Sequence, residues 1–303
     1  MTGTVLVLGA SGRFGRHSAE AFWNAGWAVR LFDRRTDDLV RAADGADVIV
    51  NGLNPAYPDW AADVPRLTES VIQAARSSDA TVIFPGNVYV FGEETEAPFH
   101  PDTPHDAANP LGRIRVEMEA AYKEAGVRTI VLRAGDFLDT EPSGNWFDKI
   151  MVAQLSRGTL VYPGPLDRKH AWAFLPDLAR AAAELAEKRD ALPAFADVPF
   201  PGYTMTGHEM TDALGFALGR DLRVRPMGWL ALRVLAPVWP MGRALVEMSY
   251  LWRKPHSLAP ETFDSLLPDF RSTPIDVALR RAAGHKIDPD QMMPRGAVAL
   301  VAN

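Results

Sequence analysis

The sequence predicts an α/β protein, a doubly wound parallel sheet with a smaller C-terminal α+β lobe. Three observations carry this. The first half alternates short β-branched apolar runs with stretches of helical period, as in a parallel sheet covered on both faces. The first apolar run, Val5-Leu6-Val7-Leu8, ends in Gly9-x-x-Gly12-x-x-Gly15 and passes directly into a helical pattern. From about residue 195 the alternation gives way to mixed short strands and helices with frequent proline. The expected division is residues 1–194 for the sheet domain and 195–303 for a substrate lobe. Segments from 137–170 are available to that lobe.

The elements follow in order. The first helix runs over residues 16–25 and stops at Gly26, a helix-terminating glycine. A second strand at 28–32 ends at Asp33. A short helix near 37–43, a strand at 47–50, a helix over 60–76 and a strand at 81–84 come next. A loop rich in Pro, Glu and Asp spans 92–110, a helix takes 112–125, and a strand at 128–132 closes the series. In the second lobe, strands are expected at 193–198 and 222–224, and helices at 206–217 and 229–252. The stretch 227–252 is strongly apolar, but Arg233, Arg243, Pro237 and Pro240 interrupt it. It falls short of the roughly 20 unbroken apolar residues of a membrane span. A buried or pocket-lining helix pair is expected, with a surface for lipid or an apolar partner as the alternative.

The glycine spacing has a physical purpose. The first glycine permits a tight turn, the second lets backbone approach a phosphate, and the third lets helix pack on strand. Free N–H groups of the first helical turn then favour an anion. This is the arrangement of a Rossmann-type dinucleotide site, and Gly9, Ser11, Gly12, Arg13, Phe14 and Gly15 are its expected residues. Ligands of such sheets sit at the carboxyl ends of the strands, which adds Asp33, Arg34, Gly52, Leu53 and Asn54. An acid at Asp33 favours the free ribose of NAD, and Arg34 and Arg35 accommodate the 2′-phosphate of NADP. The balance leans to NAD.

Composition narrows the partners. The chain has 303 residues, 47% hydrophobic and 23% charged, with a net charge of −6 and no cysteine. The negative balance argues against nucleic acid, leaving a small molecule as the expected substrate. Without cysteine there is no disulfide, thiolate metal site or catalytic thiol, which fits a reducing cytoplasm. No signal peptide is expected, because residues 1–25 lack a charged segment followed by an apolar one. No His/Asp/Glu spacing suggests a metal site.

Several segments together resemble the extended short-chain dehydrogenase/reductases, in the NAD-dependent epimerase/dehydratase group. They are Gly9–Gly15, the stretch from Phe84 through Asn87 and Tyr89 to Gly92, Leu132-Arg133-Ala134-Gly135-Asp136, the run from His170 to Ala179, and Thr273-Pro274-Ile275-Asp276. The resemblance spans nearly the whole chain and implies an NAD(P)-dependent oxidoreductase or epimerase. It also implies a homodimer paired through the helix at 112–125. The departures from the family are specific. The family uses Tyr-x-x-x-Lys with a Ser or Thr, whereas here Leu111, Arg115 and Asn87 stand at those positions. Leucine cannot transfer a proton. Arginine can bond ribose but does not exchange its proton near neutrality. The interval from Asp33 to Asp47 is also short, and the strand that often carries an adenine-contacting acid is missing.

Two readings follow. In the first, the chain is an oxidoreductase acting on a small carbonyl or alcohol. Tyr89 is its proton donor, with a pKa lowered by Arg115 or Arg113, Asn87 donates to the substrate oxygen, and Arg115 holds ribose. Tyr57 is a second candidate acid. His170, Trp172 and Asp177 border the pocket or pack in the core, and Asp177 serves the start of a helix. In the second reading the chain binds the dinucleotide without catalysis, as a sensor or partner-binding module.

Overall fold

The computed structural model describes residues 2–287. Strand β1 (Thr4–Leu8) is followed by α1 (Arg13–Asn24), β2 (Ala28–Phe32), α2 (Leu39–Ala43), β3 (Val48–Asn51), α3 (Trp60–Ser78), β4 (Thr81–Asn87), α4 (Pro110–Glu124) and β5 (Thr129–Ala134). Then come β6 (Asp136–Leu138), β7 (Thr159–Tyr162), β8 (His170–Phe174), α5 (Leu175–Glu187), β9 (Phe195–Pro199), β10 (Tyr203–Met205) and α6 (Gly207–Leu218). The chain continues through β11 (Arg223–Pro226), α7 (Trp229–Leu235), α8 (Pro240–Glu247), α9 (Glu261–Leu266) and α10 (Ile275–Ala283).

Six strands form one parallel sheet in the order β2-β1-β3-β4-β5-β9. Strand periodicity divides the apolar residues of β1 between two cores. Leu6 and Leu8 pack with Trp60, Val71 and Tyr122 from the α3/α4 side. Val5 and Val7 pack with Phe14, Phe22, Leu178 and Leu185 from the α1/α5 side. Among the described residues strand β2 is the sheet edge, with no strand paired outside it, in keeping with the short interval to Asp47.

The second lobe differs from expectation in two places. The strand expected at 193–198 does not begin the lobe. As β9 it pairs in parallel with β5 and completes the large sheet, because Asp197 answers a buried charge on β5. The lobe's own core instead joins Leu138, Phe147, Trp172 and Phe174 to Met210, Leu214, Ala278 and Leu279. It carries two small sheets, β10-β8-β6 and β11-β7. The apolar stretch at 229–252 is α7, α8 and a 3-10 run over Met248–Trp252. Its burial is graded, since α7 has no buried residue, α8 buries Gly242 and Ala244, and Met248–Trp252 is buried throughout. Pro237 and Pro240 break it before it can pack as one long helix.

Arg133 on β5 has a fully buried side chain. Its Nη2 donates to Glu119 Oε2 of α4 at 2.7 Å, its Nε donates to Asp197 of β9 at 3.0 Å, and its Nη1 donates to the Asn87 carbonyl at 2.7 Å. Burial opposes the guanidinium charge, but Glu119 and Asp197 more than restore it and raise its pKa. Removing one partner of a buried ion pair costs about 3–5 kcal/mol, because the other charge stays buried and unpaired. Glu119→Gln should therefore lower unfolding free energy by about 3 kcal/mol in a urea titration. A loss under about 1 kcal/mol would show that the network is not holding α4 to the sheet.

Candidate functional site

The crevice at the carboxyl ends of the parallel strands begins with the glycine loop. Gly9 leaves β1 with φ +71, a left-handed turn that glycine adopts without strain. Gly12 N donates to Gly9 O at 2.8 Å, and Gly12 then caps α1 with no side-chain bond to the first turn. The N–H groups there are left for an anion. A Cβ on Gly15 would overlap the Gly9 carbonyl, so the third glycine is what lets α1 lie against the loop. Ser11 is exposed, and Phe14 is buried in the sheet core.

A second segment folds over the start of α1. Arg13 Nε donates to Ser143 O at 2.8 Å, so that side chain is committed to the loop after β6. Asp139 in the same loop is buried and accepts from Arg16 and, at 2.9 Å, from His17 Nε2. Burial opposes the Asp139 charge, but the bonds from His17, Ser143 and Arg16 outweigh it and hold its pKa near about 2.

Asp33 follows Phe32, which pairs with Leu8, and so lies beside the glycine loop. Its carboxylate accepts from Arg35 at 2.7 and 3.0 Å, and these bonds lower its pKa to about 2. Arg34 is exposed. Across the loop, Gly52 N donates to Leu8 O at 3.0 Å. Leu53 N donates to Asn51 Oδ1, whose own amide donates to the Tyr122 hydroxyl. Asn51 thus shapes the turn that carries Gly52, Leu53 and the exposed Asn54.

The third group lies after β3 and β4. The hydroxyls of Tyr57 and Tyr89 are 2.6 Å apart. Tyr89 is the buried partner, 8% exposed, and Tyr57 is the more open one. The expectation of a lowered Tyr89 pKa is overturned. Burial, Tyr57 and Asp136 raise it well above the ordinary value. Burial also raises Tyr57, against the bond from Tyr89 and the charges of Arg13 and Arg115. Asn87 Oδ1 accepts from Tyr89 N at 3.0 Å, and its Nδ2 amide has no partner among the described residues.

Arg115 is buried at 7% exposure, lies over the Trp60 ring at 5.3 Å and donates to Pro85 O at 3.3 Å. Its Nε has no partner among the described residues. Leu111, one turn earlier on α4, is also buried, with its N–H donating to Glu247 at 2.7 Å.

Sequence reasoning did not single out Asp136. It begins β6, and its carboxylate meets His170 Nε2 at 2.7 Å. Its side chain is 23% exposed, while that of His170 is 3% exposed. The His170 ring stacks on Trp252 at 4.2 Å and meets His256 edge-on. Burial and the neighbouring His170 push the His256 pKa well below the ordinary imidazole value. Asp136 appears in the sequence only as the end of the resembling segment at 132–136, and its partners Trp252 and His256 lie far from it in sequence. Asp177 sits in the first turn of α5 and accepts from Thr273 N at 2.7 Å, a structural role. His105, Glu119 and Asp197 also converge, a grouping that spacing did not suggest. Both carboxylates there already accept from Arg133.

A model of the family described as "NAD dependent epimerase/dehydratase family" matches residues 5–198. No curated protein matches the chain in sequence. Among solved structures, UDP-glucose 4-epimerase from Brucella ovis in complex with NAD superposes with a TM-score of 0.69 at 19% identity. That match covers 94% of this chain and 98% of that one. A human epimerase family protein with NADPH gives 0.71 at 18% identity, covering 93% and 99%. UDP-glucose 4-epimerase from Bifidobacterium longum in complex with NAD+ and UDP gives 0.68 at 14% identity, covering 92% and 97%. At these identities the superpositions establish a shared fold.

The Asp139 clasp has a pH signature. A lowered carboxylate pKa contributes stability that is present above the unfolded-state value, near about 4, and is lost as pH falls through about 2. The stability difference between the wild type and Asp139→Asn should therefore narrow by about 2 kcal/mol over that window. A constant difference in denaturant melts at each pH would rule the clasp out.

Proposed function

The chain belongs to the NAD-dependent epimerase/dehydratase family, and from that premise we propose that it is an NAD(P)-dependent oxidoreductase or epimerase acting on a small carbonyl or alcohol. The observation that carries this is the Tyr57–Tyr89 hydroxyl pair, 2.6 Å apart at the strand ends beside Asn87. It offers acid/base groups where the resemblance implies a tyrosine on α4 and the chain has the buried Leu111.

The residues present fit a dinucleotide. The uncapped N-terminus of α1 and the glycine contacts suit a pyrophosphate. Asp33, held ionised, suits a ribose diol and keeps the preference leaning to NAD. The unpartnered Arg115 Nε suits a second ribose hydroxyl. Held by these residues in its reduced form, the dinucleotide would supply hydride chemistry toward a carbonyl carbon. The protein's part is the proton. The Asn87 amide donates to the substrate oxygen, and the Tyr57 hydroxyl gives its proton to that oxygen as negative charge develops. Tyr89 stays protonated and supports the developing charge on Tyr57 through their shared hydrogen bond, and Tyr57, the more open of the two, regains its proton from water. The raised pKa values keep both hydroxyls protonated before reaction and make them weak acids, so the proton moves only as negative charge builds on the substrate oxygen.

Calorimetric titration with NAD, NADH, NADP and NADPH tests the premise, and failure of all four to bind removes it. Asp33→Asn should weaken NAD about tenfold while leaving NADP nearly unchanged, as expected for losing a hydrogen bond to a charged group. For turnover on a screened carbonyl, Tyr57→Phe should lower kcat at least about 100-fold with KM little changed. The wild-type reduction rate should stay level up to about pH 9, because the raised pKa values keep both hydroxyls protonated. Full activity in Tyr57→Phe would overturn the assignment. The buried Leu111 favours a second reading, a non-catalytic dinucleotide sensor. Tight nucleotide binding with no turnover of any carbonyl or alcohol would support it.

A further inference from the structure

The hairpin of α7 and α8 carries an unusual surface. Leu230, Val234 and Val238 are 75%, 70% and 82% exposed, and Leu235 and Trp239 are exposed beside them. The first three recur every fourth residue, as do Leu235 and Trp239. One further turn follows α7, with Val238 N and Trp239 N both donating to Leu235 O, before Trp239 leaves helical geometry at φ −125 and ψ 101. The five exposed side chains thus fall on one short helix and the turn after it, a single apolar ridge rather than scattered exposed residues.

Between Asp221 and Glu247, which bound it, the charges around this ridge have one sign. Residues 222–246 hold Arg223, Arg225, Arg233 and Arg243 and no Asp or Glu, in a chain of net charge −6. All four arginines are exposed. None forms an ion pair among the described residues, and the Arg243 side chain donates only to the Pro237 carbonyl. The hairpin is nonetheless held firmly at its base. Trp229 Nε1 donates to Pro163 O at 2.6 Å and its ring packs near Trp146. At the other end Glu247 accepts from the Asn109 side chain and Leu111 N.

We propose that this ridge is a docking surface for an anionic lipid membrane, on which the α7–α8 hairpin lies in the interface plane without crossing it. An exposed aliphatic ridge with a tryptophan and an arginine rim is the composition of an interfacial segment. Trp239 belongs at headgroup depth, and the unpaired arginines meet lipid phosphates. No helix of the described residues is long and apolar enough to span. A second copy of this chain fits less well, because a twofold contact would set one arginine-rimmed surface against another of the same sign. The surface does not depend on the redox reading, and neither result decides the other.

The test is cosedimentation of the full chain with vesicles of phosphatidylcholine alone and of phosphatidylcholine with phosphatidylglycerol. Binding is expected to the anionic vesicles and to weaken with salt. Arg233→Glu with Arg243→Glu should lower the partition coefficient at least about tenfold. Val238→Ser with Trp239→Ser should lower it by a similar factor at unchanged far-UV circular dichroism. The chain has no cysteine, so Val238→Cys can be labelled alone with an environment-sensitive dye. Its emission should shift to the blue on anionic vesicles and stay unchanged on neutral ones. Absence of binding, equal binding to both vesicle types, or a dimer in solution that Val238→Ser with Trp239→Ser dissolves would each overturn the proposal.

Discussion

Arg133 carries a positive charge at a point of the sheet that water does not reach. The charge survives there because three parts of the chain converge on it: Glu119 from α4, Asp197 from β9 and the carbonyl of Asn87 at the end of β4. The Phe91 ring lies beneath the guanidinium at 5.4 Å. Buried ion pairs are poor sources of net stability but strong constraints on arrangement. Here the constraint fixes β9 at the sheet edge and α4 against it. It also fixes the backbone of Asn87, from which the candidate site is built.

The site inherits this order. With the Asn87 carbonyl held by Arg133, its side chain turns back to accept from Tyr89 N, which sets Tyr89 toward Tyr57. Leu111 and Arg115 lie on the face of α4 that packs inward, as Glu119 does. The α4 positions that the family resemblance marks are therefore filled by core packing and a buried cation. The phenols come from the two loops after β3 and β4. The Asp136–His170 pair, whose carboxylate acts electrostatically on both tyrosines, is backed by Trp252 and His256, so the carboxylate is the open member of an aromatic cluster.

Much of the fold was legible from spacing. Alternating apolar runs locate β1 to β5, because each is a short β-branched segment bounded by turn or helix signals. The glycine triplet locates the start of α1, because its residues meet local steric demands that only glycine satisfies. Legibility fails where the cause is distant. Strand β9 reads as part of the second lobe until Asp197 is seen to answer Arg133, 64 residues away. The stretch at 229–252 reads as buried because apolar residues usually are, and exposure is decided by what the rest of the chain leaves uncovered.

For this protein the sequence alone determined the parallel α/β class and the glycine turn at Gly9–Gly15 that opens α1. Each rests on neighbouring residues and their covalent geometry. The tertiary structure alone decided that Tyr57 meets Tyr89, that Asp136 meets His170 and that Arg115 is buried over Trp60. It also decided that burial raises the Tyr89 pKa, where the nearby arginines had suggested a fall. These outcomes depend on desolvation and on pairings between distant segments, and such quantities exist only once the chain has closed on itself.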